Sequence, residues 1–259
     1  MNVSQAFLVL KNNQKLRYFL IAILLYVFFL IYSLPASFAL SFVQLPKNIM
    51  VSSVSGSVWS GQARQVKYSS VDFGFLKWQI HPLYLLTGKL AASISLRNGE
   101  HSIQSDISLG LSGAVELVDT RFLIDIASLQ PLTYGMPFSY AGHATGDFPV
   151  IFIDKSHYLQ FTGQLDLNDL KLTSPQQQLF GDINVEFSAD KDGGSSARIT
   201  DTGGPLKISG KLKLDKHAVL HLSAKLSARE TGSSLDQLIS LFGKKDQSGR
   251  VQLNTQLRL

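Results

Sequence analysis

Cysteine is absent from the 259 residues. That excludes disulfides, cysteine-ligated zinc, iron–sulfur clusters and thiol nucleophiles. Any folded part must therefore be held by buried apolar surface. Acidic residues are absent from the first 71 positions; all 19 of them follow, beginning at Asp72. Charged residues and histidine are both missing from Tyr18 to Leu45, which reads YFLIAILLYVFFLIYSLPASFALSFVQL. An apolar run of that length is hard to cover inside a globule.

The run predicts a membrane helix over 18–45. A bilayer core of about 30 Å takes roughly 20 apolar helical residues, and a helix satisfies its own backbone where lipid offers no partner. Pro35 removes one donor and can kink it. Lys11, Lys15 and Arg17 precede the run and only Lys47 closely follows, so residues 1–17 are expected to stay cytoplasmic and the remainder to lie across an inner membrane, in the periplasm. Ser37-Phe38-Ala39 also makes a fair signal-peptidase site. The apolar run exceeds the usual 7–15 residues of a cleaved signal, which favours an uncleaved signal anchor.

About 214 residues follow position 45, enough for one large or two small domains. They carry 21 basic and 19 acidic residues, near balance, so the high pI partly reflects topology. No basic stripe interleaved with aromatics tracks a phosphate backbone, and no nucleic-acid partner is expected.

The exported part alternates with period two almost throughout. In Val54-Ser-Gly-Ser-Val-Trp-Ser-Gly-Gln-Ala63 the glycines among β-formers suggest a strand with a bulge or a close backbone approach. Val71, Phe73 and Phe75 alternate, then Leu76, Trp78 and Ile80 do so in the other phase, which suggests a second bulge. His81-Pro82 stops that strand, and Leu83–Leu86 forms a short apolar turn ended by Gly88. Asn98-Gly99 reads as a two-residue hairpin loop. Strands follow around Leu90–Leu96, Ile103–Leu111 and Phe122–Ile126.

Pro131, Gly135, Pro137, Gly142 and Gly146, with Tyr134 and Tyr140, mark 131–147 as a connector between a first β half, 46–130, and a second, 148–259. Gly56-Ser-Val-Trp and Gly163-Gln-Leu-Asp hint at duplication, although the second lacks the tryptophan. Asp190–Ser196 is a polar tip, and Gly203-Gly204-Pro205 is a turn. Leu206, Ile208, Leu212 and Leu214 then face one way, and four polar residues, Lys207 to Lys213, the other. Ser233 or Ser234 caps a short helix carrying Leu235, Leu238, Ile239 and Phe242. A last strand runs from Val251. The fold class is mainly β: one N-terminal membrane helix, then a large curved antiparallel sheet of two similar halves with one or two short helices.

No catalytic constellation emerges. His217 and His221 have the spacing of a helical zinc pair, but on a strand four residues span about 13 Å, too far to share a metal. Gly193-Gly194 and Gly203-Gly204 lack the Lys-Ser/Thr of a phosphate loop. No Gly-x-Ser-x-Gly elbow occurs. Asp166, Asp169, Asp201 and Asp215 are spread over turns. No enzyme activity, metal or cofactor is expected.

Val54–Ala63, Leu76-Lys-Trp78 with His81-Pro82-Leu83, and Asp201-Thr-Gly-Gly-Pro-Leu206 together resemble the protein N family of the type II (general) secretion system. The Leu235–Gly243 helix and Gly249-Arg250 fit the same pattern. The resemblance implies a non-enzymatic inner-membrane accessory subunit contacting other inner-membrane components and the outer-membrane secretin. Trp59, Trp78, Asp201, Gly203, Gly204 and Pro205 are the candidate contact or shape-setting residues. The alternative is a lipid-binding or lipid-transfer protein, whose apolar sheet face would leave an open gutter for acyl chains rather than a dry core.

Overall fold

The computed structural model describes residues 14–42, 44–133, 138–154, 159–190, 193–215 and 219–258. Thirteen strands form one sheet: β1 Ile49–Gly56, β2 Ser60–Tyr68, β3 Val71–His81, β4 Lys89–Asn98, β5 His101–Gly110, β6 Val115–Asp125 and β7 Ser139–Ile153. Then come β8 Leu159–Ser174, β9 Gln178–Ala189, β10 Ser195–Gly203, β11 Leu206–Leu214, β12 Val219–Ala228 and β13 Val251–Arg258. The spatial order is the chain order and neighbours are antiparallel, so β1 and β13 are the two edges. In such a meander the turns alternate between two ends. Those after β1, β3 and β5 share one end; those after β2, β4 and β10 share the other.

Period-two patterning gives the sheet two chemically opposite faces. One unbroken row of paired residues, one from each of thirteen strands, runs Val54, Ala63, Leu76, Leu96, Ile103, Phe122, Gly146, Leu165, Val185, Ile199, Gly210, Ala224, Leu253. Every member is apolar or glycine. The adjacent row on the other face runs from Ser55, Gln62 and Lys77 through Gln104, Arg121, Asp147, Glu186 and Arg198 to Lys211, Ser223 and Asn254, and every member is polar.

The sheet curls most tightly in its later strands. Cα atoms of β8 approach those of β10, and those of β9 approach β11, within 8 Å. A flat sheet holds strands two apart at about 9.5 Å. The curl closes on the apolar face, where Ile183, Val185, Ala197, Ile199, Leu206 and Val251 make one buried cluster with Leu235 and Ile239 of a short helix, Ser234–Ser240. Ser233 caps that helix by accepting from the Asp236 N–H. Phe242, expected on the same face, lies beyond the helix and is 58% exposed.

The structure departs from the sequence reading at several points. The segment 18–45 is not one helix. Helix α1 covers Gln14–Tyr32, and a separate five-residue helix α2 covers Ala36–Leu40. Pro35, extended at ψ 137°, divides them; it has no N–H with which to continue the ladder. Among the described residues no helix is long and apolar enough to cross a membrane. Lys15 and Arg17 occupy the start of α1, leaving 15 uncharged residues from Tyr18 to Tyr32. At a rise of roughly 1.5 Å these span about 22 Å, short of a core of about 30 Å.

Val54–Ala63 is not one bulged strand, although the close backbone approach is present: a Cβ on Gly56 would lie 2.8 Å from the Gly61 Cα. It is the end of β1, a turn at Ser57–Trp59 and the start of β2. The irregularity near Phe73 is present, as a register shift opposite Gly74, which sits at φ 78°. The hairpin loop after β4 is Gly99-Glu100 rather than Asn98-Gly99, because Asn98 pairs with His101 and its side-chain amide donates to the Asp72 carbonyl (2.7 Å). Residues 139–147 of the expected connector are the first part of β7; they pair with β8 and, from His143 onward, with β6 as well. Tyr134, Gly135, Pro137 and His217 lie outside the described residues, as do 1–13 of the expected cytoplasmic tail and 191–192 of the polar tip.

Candidate functional site

The six candidate residues fall into two groups at opposite ends of the sheet. Trp59 lies in the β1–β2 turn, which the Trp78 side chain reaches from β3; Asp201 and Gly203 stand at the end of β10 and Gly204-Pro205 form the β10–β11 turn.

The tryptophans build a joint between α1 and the sheet. A helix C-terminus leaves carbonyls without intrahelical partners. The Trp59 indole Nε1–H donates to the Ile31 carbonyl (3.0 Å), and the Val58 N–H donates to the Leu34 carbonyl (3.0 Å). Pro35 then forms a bridge with Ser57, and Ala36 is buried. From β3, the Trp78 indole N–H donates to the Val58 carbonyl (3.0 Å) while Ile80 N–H donates to the Trp59 carbonyl (2.6 Å). Val58 is thus held from the helix side and from the sheet side at once. The Trp78 ring lies over its cross-strand partner Gly61, where a Cβ would sit 2.3 Å from the indole. That glycine is present because the ring takes the space a side chain would fill.

The second group is a latch. Asp201 accepts from the Ile208 N–H (3.0 Å) and pairs with the Arg229 guanidinium. Arg229 also donates through Nε to the Gly204 carbonyl (2.7 Å) and through its backbone N–H to the Pro205 carbonyl (2.8 Å). The turn is therefore locked to the end of β12. Gly204, at φ 99°, packs against Gly181, whose Cα would be 2.5 Å from any Cβ added to it. Beside the latch, Asp236 accepts from Lys245 Nζ (2.7 Å) and Gly232 N–H (3.0 Å), and both hold its carboxyl below the usual carboxylate range.

Residues that sequence reasoning passed over also shape the sheet. Asp72 accepts from Gln65, which chiefly lowers its pKa, and from the Gly74 N–H (2.8 Å). Buried His101 lies against Phe73 (5.6 Å between centroids), with Nε2 2.9 Å from the Ser128 hydroxyl. Gly146 stands opposite Phe122, whose ring would lie 2.3 Å from an added Cβ, repeating the Gly61–Trp78 pairing; Gly163 pairs with Phe187 but is closed off by the Asp147 carbonyl and Phe148. The signal was a glycine inside an apolar alternation, but its aromatic partner lies on another strand.

Chemically, these arrangements fix backbone and shape. Among the described residues no group of three or more His, Asp or Glu side chains is placed to hold a metal. His221 lies on β12, as the strand reading predicted, 3.9 Å from Asp215.

Comparison with known proteins places the chain. The family model for type II secretion system protein N matches residues 47–254. A protein of that name from Vibrio cholerae is 26% identical over 240 residues, covering 87% of this chain and 91% of its own. Counterparts from Aeromonas hydrophila and Klebsiella pneumoniae are 25% and 24% identical, covering 90% and 93% of this chain and 94% of each of their own. No solved structure matches. The chain belongs to the type II secretion system protein N family.

Proposed function

We propose that the chain is an accessory, non-enzymatic subunit of the type II secretion system, anchored in the inner membrane by α1 with its N-terminus cytoplasmic. The sheet then stands in the periplasm as a docking surface for other secretion subunits, the secretin among them. The observation that carries this is the joint: the Ile31 carbonyl at the end of an exposed apolar helix, and the Leu34 carbonyl just beyond it, are tied to the sheet through Trp59 and Val58. A helix so tied orients the sheet relative to whatever holds the helix. The 15-residue apolar stretch is short for a bilayer, and Lys15 and Arg17 can reach the headgroups from one end while the membrane thins locally. Partner contact through the edges β1 and β13 fits strand addition. Purification of the full-length chain from secreting cells, followed by identification of co-purifying subunits, tests the reading. Capture of neither secretin nor any inner-membrane component of the system would sink it.

A second reading, lipid binding, is favoured by one observation. The buried cluster belongs to β9–β13 and the Ser234–Ser240 helix, whereas Leu90 and Leu109 on the same apolar face of β4 and β5 are exposed. An apolar face left partly open there suits an acyl chain. Native mass spectrometry of residues 46–259 released from the helix distinguishes the two, since a clean apo mass counts against a lipid cargo.

A further inference from the structure

We propose that the end of the sheet beside α1 carries a second membrane contact: the 3₁₀ turn Pro82–Thr87 together with Leu111, seated in the surface of a phospholipid bilayer. The proposal rests on the reading of α1 as an anchor and adds a separate surface to it.

Leu83 is 77% exposed, Leu86 87% and Leu111 89%, with Tyr84 and Leu85 about half exposed. Five large apolar side chains in water on two short turns form a patch that calls for a partner. The two turns are adjacent: a Cβ on Gly88, which closes the 3₁₀ turn, would meet Leu111 at 2.9 Å. Placement on the sheet says what covers them. The turns after β3 and β5 lie at the same end as the β1–β2 turn, where α1 is tied. The link to the joint is direct, because Ile80 donates to the Trp59 carbonyl two residues before Pro82 begins the patch. A helix entering a bilayer from Trp59 brings this end of the sheet down onto the headgroups. Tyr84 and Trp59 are the residue types that favour that depth. The turn after β4, at the far end, carries Glu100 instead.

The cysteine-free chain permits single-cysteine labelling with no background. The full-length protein is reconstituted into phosphatidylethanolamine–phosphatidylglycerol vesicles containing spin-labelled acyl chains. An environment-sensitive fluorophore is placed in turn on Tyr26→Cys, Leu86→Cys, Leu111→Cys and Glu100→Cys. The expected result is quenching at 26, 86 and 111 and none at 100, with about a twofold loss of emission at the turns, for groups seated roughly 5–10 Å into the headgroup boundary. Quenching at 26 alone overturns the second contact and leaves the anchor standing. No quenching at 26 overturns the anchor and this proposal with it. Equal quenching at 100 also overturns the proposal, since the contact would not belong to this end.

Discussion

The rings of Phe148 and Phe187 meet with centroids 5.5 Å apart although β8 runs between their strands. They meet over Gly163, the β8 residue paired with Phe187, at φ 154°. An added Cβ there would lie 2.4 Å from the Asp147 carbonyl oxygen and 2.7 Å from the Phe148 Cα.

Gly163→Ala is therefore expected to destabilise the fold by about 2–3 kcal/mol, since backbone atoms, unlike a flexible side-chain end, cannot step aside. Gly99→Ala is the control. Its Cβ meets nothing within 4 Å, and its effect should stay within about 0.5 kcal/mol. Urea unfolding followed by circular dichroism measures both, and equal midpoints for the two variants would refute the role of Gly163.

Trp59 and Trp78 should separate by substitution. Trp59→Phe removes the donor to Ile31 and should cost about 1 kcal/mol, felt at the joint. The readout is faster proteolysis between α1 and β1, with β9–β13 still protected. Trp78→Phe keeps a ring over Gly61 and should cost about as much, whereas Trp78→Ala empties the space and should cost about 3–5 kcal/mol.

The β10–β11 latch divides its energy unevenly. Arg229 is half exposed, so Arg229→Met should cost only about 1 kcal/mol for the ion pair and the bond to Gly204. Asp201→Ala also strands the Ile208 N–H and should cost about 2 kcal/mol. Thermal unfolding of the two variants gives the order, and an Arg229 variant weaker than the Asp201 variant would reverse the argument.

Acid should loosen the sheet from below about pH 4. The carboxyls of Asp72, Asp236 and Asp246 all lie below their ordinary value in the folded chain. Gln65 is the main cause for Asp72, Lys245 for Asp236 and the Arg250 N–H for Asp246. The unfolded chain then binds more protons through that window, so the contribution is complete above the ordinary carboxylate range and lost as pH falls through the lowered values. Lys245→Met should flatten the acid side of a plot of urea midpoint against pH, and an unchanged slope would show that Asp236 does not contribute.

Alternation, the short helix after Ser233 and the apolar turn before Gly88 were legible in the sequence because each depends on residues within a few positions of one another. The single-helix reading of 18–45 failed at Pro35 for a local reason that composition outweighed. Val54–Ala63 misled because glycines spaced between β-formers suit a bulge and a turn equally well. The same ambiguity hid the joint, since Trp59 turns toward Ile31, 28 residues earlier.

The sequence by itself determined a two-faced β chain behind an apolar helix. Only the tertiary structure decided that thirteen strands pair in chain order, that glycines at 61 and 146 face aromatic rings on the next strand, and that Trp59 and Trp78 donate to Ile31 and Val58 at one joint. Which face a side chain takes is settled within its own strand. Which side chain stands opposite depends on every bulge and turn between the two, and a shift of one residue exchanges the faces.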